Sequence, residues 1–156
     1  MSVPAAPIVL PYTIAPCEPT AAFPHQKAVA RPLVQTVLEY GGRRLPFFFH
    51  SVIDSGADYC VFPAQFGEKI GVPVREGRLQ ATKGVVGDAE AFFHSVKVFV
   101  GFNKQVYHFD CYAGFMYALD TLGVGLLGRH GFFELFETVT FKHNVQVVEL
   151  VPSQPA

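Results

Sequence analysis

At 156 residues the chain fits one domain and is long enough for a proper hydrophobic core. Half of it is apolar and 16% is charged, which excludes a disordered protein. The net charge is −1 and Arg43-Arg44 is the one adjacent basic pair, so the footprint of a nucleic-acid binder is missing.

Six of the twelve prolines crowd the start: Pro4, Pro7, Pro11, Pro16, Pro19 and Pro24. Proline fixes φ and removes a backbone donor, so residues 1–30 are expected as an extended, loosely attached arm, disordered or a propeptide. The remainder divides into a domain over 31–151 and a tail at 152–156. Leu33 to Tyr40 reads as a strand, Gly41-Gly42 as a tight turn, and Arg43 to Asp54 as the returning strand. The run Phe47-Phe48-Phe49, with Val52-Ile53 after it, is apolar on both faces, the pattern of a buried strand.

Val61-Phe62-Pro63 is short and extended. Ala64 to Ile70 makes two helical turns closed by Gly71 and stopped by Pro73. Leu79 to Phe93, broken by Gly84 and Gly87, suits a mobile hairpin. Ala91 to Val100 and Gln105 to Tyr112 pair around Gly101-Phe102-Asn103. Gly123 to Gly128 leads into an expected helix at Arg129 to Phe136. Thr138 to Phe141 and Val145 to Leu150 close the chain as a hairpin around His143-Asn144. The fold class is all-β with one or two short helices.

Chemistry concentrates in Ser51-Val52-Ile53-Asp54-Ser55-Gly56-Ala57-Asp58. An apolar strand runs straight into a carboxylate on a sharp turn. Gly56 allows a backbone approach that a side chain would block, and Ser55 offers a hydroxyl to whatever lies opposite.

This turn resembles the active-site turn of the retropepsin family, the retroviral-type, single-domain aspartic proteases and their cellular and bacterial relatives. The surrounding order supports the resemblance over about residues 31–150. Arg31-Pro32-Leu33-Val34 precedes it, Gly84-Val85-Val86-Gly87 sits where the family carries a flap, and Leu126-Leu127-Gly128-Arg129 looks like its apolar-apolar-Gly-Arg signature. What the resemblance implies is a closed acid-protease barrel with a flap hairpin, working as a homodimer. Peptide hydrolysis by this route needs two carboxylates facing one water, sharing a proton because two charges that close cannot both ionise. One copy supplies one Asp. Asp120-Thr121-Leu122-Gly123 lacks the immediate glycine and is no second turn, so a twofold dimer would set Asp54 against its symmetry mate.

The resemblance also assigns roles. Asp54, Ser55 and Gly56 form the catalytic turn. Asp58 pairs with Arg129 of its own subunit, which follows Gly128, and meets Arg31 of the other. Val85 and Val86 reach the peptide backbone, as does the Gly56 carbonyl, and Tyr59, Val61, Val124 and Leu126 line side-chain pockets beside Asp58. The expected substrate is a peptide or protein with apolar residues at the cut. A hydroxyl at position 57 would donate to the carboxylate and favour its charged form. Ala57 cannot, so a mildly acidic working pH is expected. Residues 138–150 are expected at the dimer interface. His130-Gly131 depart from the family, which carries a small polar residue after the arginine.

Other chemistries fit less well. His108 and Cys111 point to opposite faces of a strand, so no metal and no cofactor are expected. Cys60 has no base nearby in sequence for a Cys-His protease. The Gly123 to Gly128 run lacks the Lys of a phosphate loop. Cys17, Cys60 and Cys111 are odd in number and widely spaced, which suits a reducing compartment. With no signal-peptide pattern and no apolar run of bilayer length, the expectation is a soluble, cytoplasmic protein without membrane partners. The alternative function is a retropepsin-fold dimer that no longer cuts and serves as a peptide-binding or assembly module.

Overall fold

The computed structural model describes residues 4–84 and 87–154. In chain order, β1 (Ile8–Pro11) is followed by a hairpin of β2 (Thr13–Pro16) and β3 (Ala28–Arg31), then β4 (Leu33–Tyr40) and β5 (Arg43–Arg44). Next come β6 (Phe49–Ile53), β7 (Val61–Pro63), helix α1 (Ala64–Lys69), β8 (Arg78–Gly84), β9 (Gly87–Phe102) and β10 (Gln105–Met116). The chain closes with β11 (Gly125–Leu127), β12 (Phe136–Lys142) and β13 (Val147–Pro152).

The large sheet runs β5-β4-β6-β11-β7-β10-β9-β8, and β4 also pairs with β9. That second pairing closes β4, β6, β11, β7, β10 and β9 into a six-stranded barrel. The β4–β9 ladder joins Gln35 to Gly101 through Glu39 to Lys97, across some sixty residues of sequence. Closure leaves none of those six strands with an open edge. Alternation then decides the interior: Val34, Thr36 and Leu38 point inward from β4, and Phe49, Ser51 and Ile53 from β6. Thr36 and Ser51 are fully buried hydroxyls, and Thr36 Oγ1 donates to Ser51 Oγ at 2.9 Å, so the polar pair is satisfied inside an apolar core.

Several expectations change. The arm is extended but tied down. β1 pairs antiparallel with β13, Ile8 against Leu150 through Pro11 against Val147, and Ile8 is buried. Proline at the strand's end leaves the rest of its ladder free to form. The returning strand is broken: Leu45 N–H donates to Leu38 O, but Pro46 has no N–H, and Phe47 and Phe48 swing out to 40% and 53% exposure. Only Phe49 of the three phenylalanines enters the core. The β9–β10 turn falls at Asn103 and Lys104, both at positive φ, just beyond the expected centre at Phe102.

The helix expected at 129–136 does not form. A single 3-10 turn at Phe133–Leu135 stands there instead, after Gly131 at φ +102°. β1, β13 and β12 make a separate three-stranded sheet with β13 in the middle, and Val148 and Leu150 are fully buried in their own subunit. Residues 138–150 are therefore core as well as surface. β8 and β9 form the expected antiparallel hairpin down to Gly84 opposite Gly87. Val85 and Val86 lie outside the described residues.

Candidate active site

Two parallel strands end side by side. β6 and β11 pair from Ser51 opposite Gly125 to Ile53 opposite Leu127, so Asp54 and Gly128 leave the sheet together. Asp54 N–H donates to Leu127 O at 3.1 Å, the last rung before the chain turns. Ala57 N–H then donates back to Asp54 O at 3.2 Å, and Gly56 N–H donates to Asp54 Oδ1 at 2.9 Å. The turn thereby orients its own carboxylate. Asp54 is half-buried, while Ser55 and Gly56 are exposed at the apex. A Cβ on Gly56 would sit 3.2 Å from Asp54 Oδ1, crowding that oxygen.

The segment after β11 holds this turn from behind. Arg129 N–H donates to Ala57 O and His130 N–H to Asp58 O, both at 2.9 Å, and Tyr59 bridges His130 in parallel. The expected helix is broken at Gly131, whose φ of +102° lies outside the right-handed helical region; the Arg129 and His130 donors, which a first helical turn would leave free in any case, go to carbonyls of the Asp54 turn. Gly128 is required by closeness: a Cβ there would lie 2.2 Å from Tyr59 O and 2.8 Å from Ala57 O. The Arg129 guanidinium also donates to the Asp58 carboxylate. In the single chain both side chains are more than half exposed, 58% and 59%, so the pair contributes little to the stability of one copy.

Tyr59 is flanked by two rings. Phe93 meets its ring edge-on at 5.3 Å and His130 stacks on it at 5.4 Å. His130 Nδ1 donates to Glu134 Oε1 at 2.9 Å, and Gly131 N–H donates to Glu134 Oε2 at 3.0 Å. The histidine bond first, and the backbone bond second, hold the Glu134 carboxyl below its ordinary range. Sequence reasoning passed over Glu134. Its i, i+4 spacing from His130 was the available signal, masked by the helix expected there.

Val61 faces Leu126 across β7 and β11, and belongs to a small apolar cluster with Ala91, Phe93 and Met116, apart from the main core. Tyr59 packs against that cluster, and Val124 and Leu126 are half-buried. Asp54, Ser55, Gly56, Asp58, Tyr59, Gly128 and Arg129 are thus brought into one constellation. Arg31 is exposed at the end of β3, opposite Thr13; its neighbour Pro32 offers its carbonyl to Ile53 N–H at 3.0 Å, beside the same turn. Among the described residues no group of His, Cys, Asp and Glu is arranged to hold a metal ion, and no helix is long and apolar enough to cross a membrane.

The solved structures similar to this chain include two proteases. EIAV protease complexed with the inhibitor HBY-793 is 20% identical over 64% of this chain and 82% of that one, with a TM-score of 0.38. A retropepsin-like aspartic protease from Rickettsia conorii is 13% identical over 94% of this chain and 93% of that one, with a TM-score of 0.48. The likeness is one of chain path alone. No protein-family model matches the chain, and no curated protein matches it.

Proposed function

We propose that the chain is an aspartic endopeptidase that acts as a homodimer, each copy contributing Asp54 to a shared dyad. One observation carries this reading. Asp54 stands at the end of a buried strand, its Oδ1 held by the Gly56 N–H at 2.9 Å, on a turn whose backbone is anchored by Arg129 and His130. A carboxylate held that firmly, yet left half-open to water, is suited to a fixed task in proton transfer.

In the dimer one Asp54 is ionised and takes a proton from a water. The water attacks the peptide carbonyl, while Asp54 of the second copy, protonated, donates to the carbonyl oxygen. The proton gathered by the first then passes to the leaving amine. Two carboxylates in contact share one proton because the doubly charged state is too costly, a behaviour familiar from aspartic proteases generally. Ser55 ties the two turns together, and Arg31 of one copy meets the Asp58–Arg129 pair of the other.

The β8–β9 hairpin serves as a flap that closes over the peptide and excludes water, and Val85 and Val86 meet the peptide backbone. The Gly56 carbonyl binds substrate backbone. Tyr59, Val61, Val124 and Leu126 take apolar side chains beside the cut.

The test is cleavage of casein by wild type and by Asp54→Asn at about pH 5–6, between the two dyad states, with the dimer mass measured alongside. Loss of cleavage in the variant with dimer mass unchanged is the expected result. Equal cutting by both would remove Asp54 from the mechanism. Dimers that bind peptide without cutting, in wild type and variant alike, would instead make this a binding or assembly module.

A further inference from the structure

Behind the catalytic turn lie two buried thiols that the proposed reaction does not use. Cys60 is 0% exposed and Cys111 4%, on opposite sides of the β7–β10 junction, where Gly114 N–H donates to Cys60 O at 2.9 Å. Their sulfurs converge on one point. A Cβ placed on Gly131 would lie 2.7 Å from Cys111 Sγ and 3.3 Å from Cys60 Sγ, so both sulfurs face the same small space. Both are free. Cys60 Sγ also donates to His130 O at 3.6 Å, so this pair is linked to the residue that holds Asp58 O and stacks on Tyr59.

We infer that Cys60 and Cys111 are a reversible oxidation site, forming a disulfide when the chain meets a peroxide, and that this bond slackens the catalytic turn. With Val61 opposite Gly114, Cys60 lies level with Ala113, so Cys111 is its diagonal neighbour on the adjacent strand; both sulfurs share the space over Gly131, and closing one S–S bond draws the start of β7 toward Cys111, which strains the turn that leads into it. The reaction balances with hydrogen peroxide as oxidant. The Cys60 thiolate attacks one peroxide oxygen, the O–O bond breaks, and hydroxide leaves and is protonated to water. The Cys111 sulfur then displaces the hydroxyl of the Cys60 sulfenic acid, and a second water leaves. Two electrons pass from the sulfurs to the peroxide.

Cys60 is the better first nucleophile. The neighbouring Cys111 side chain lowers its thiol below the ordinary value, whereas Cys60 and burial push Cys111 up. The lid over the pair is the Arg129 to Leu135 segment, which has no regular structure beyond one 3-10 turn and is held partly by the exposed Glu134 contacts. A small oxidant reaches the sulfurs when that segment opens. Once the disulfide forms, Cys60 has no S–H to offer His130 O, and the anchor of the Asp58–Tyr59 backbone is weakened.

The experiment uses the full chain carrying Cys17→Ser, so that no third thiol competes. The reduced protein is treated with hydrogen peroxide, digested without reductant and mapped by mass. The expected result is a peptide pair linked through Cys60 and Cys111, two hydrogens lighter than the reduced pair, which dithiothreitol releases. Adding Glu134→Gln should speed its appearance by loosening the lid. Separate sulfinic or sulfonic acids, or two thiols still fully alkylated after unfolding, would overturn the site.

A second arm, which rests on the protease reading, follows casein cleavage: it should fall as the linked fraction rises and return on reduction. A disulfide that forms without changing cleavage would overturn its effect on the turn. A disulfide that forms in a chain with no cleavage in either state would leave the site standing and count against the protease reading instead.

Discussion

The two loops that leave the barrel at Asp54 and at Gly128 begin alike and do opposite work. Both follow short parallel strands, paired rung for rung, and each contains a glycine that lies close to the Asp54–Tyr59 stretch, Gly56 in the first and Gly128 in the second. After β6 the chain makes a tight, partly exposed turn that presents one carboxylate. After β11 it spends its first backbone donors on that turn, at Ala57 O and Asp58 O, and adds a guanidinium on Asp58. One loop holds the proposed reacting group and the other supplies restraint. A reacting group on a rigid support keeps its geometry while its tip stays open to substrate, and the division between the two loops achieves both.

Substitutions can break this comparison in order of size. Asp54→Asn should cut proteolysis by at least roughly 10³-fold while leaving the melting temperature almost unchanged, because the amide oxygen can still accept from Gly56 N–H. A large loss of stability would show that the first loop is structural after all. Gly128→Ala should behave the other way, costing about 3 kcal/mol in denaturant unfolding, since the added carbon meets backbone oxygens that cannot move aside. A neutral result would mean the second loop is not clamped on the first.

Arg129→Ala separates the arginine's two contributions. Its backbone bond to Ala57 remains, and the exposed ion pair is worth less than about 1 kcal/mol in a single copy. Unfolding of the monomer should therefore shift little. Dimer mass and cleavage should suffer more, if Arg31 of a second copy shares Asp58. Equal small effects on all three would confine the pair to the surface of one chain.

The smallest effect concerns acid. Glu134 is held below its ordinary range by His130 and Gly131, so its contribution is present above the free carboxylate value of about 4.3 and fades as pH falls through its lowered folded value. The melting-temperature gap between wild type and Glu134→Gln should accordingly narrow on acidification. A gap that widens in acid would mean that the carboxylate is not what His130 and Gly131 hold in the folded state.

Local chemistry was legible in the sequence wherever the deciding contacts were local. Leu33 to Tyr40 alternates inward and outward as a strand must, and Gly41-Gly42 supply the positive φ of the turn that follows, at +55° and +78°. Asp54-Ser55-Gly56-Ala57 folds on bonds among its own atoms, so its four residues announce the turn before any partner is known. What lay beyond reach were the choices made between distant segments. Arg129 to Phe136 carried a helix pattern, yet the backbone turns to φ +102° at Gly131, packed against the Cys60 and Cys111 sulfurs, while the carbonyls of Ala57 and Asp58, some seventy residues earlier, hold its start. Ile8 to Pro11 read as loose arm until β13 offered a ladder, and Cys60 and Cys111 looked unrelated until β7 met β10. The barrel itself exists because β4 finds β9, a pairing that no nearby pattern encodes. Turns and periodicities are set within a few residues. Which carbonyl accepts which donor is settled only when the whole chain has closed, because each group takes the partner that closure brings within reach.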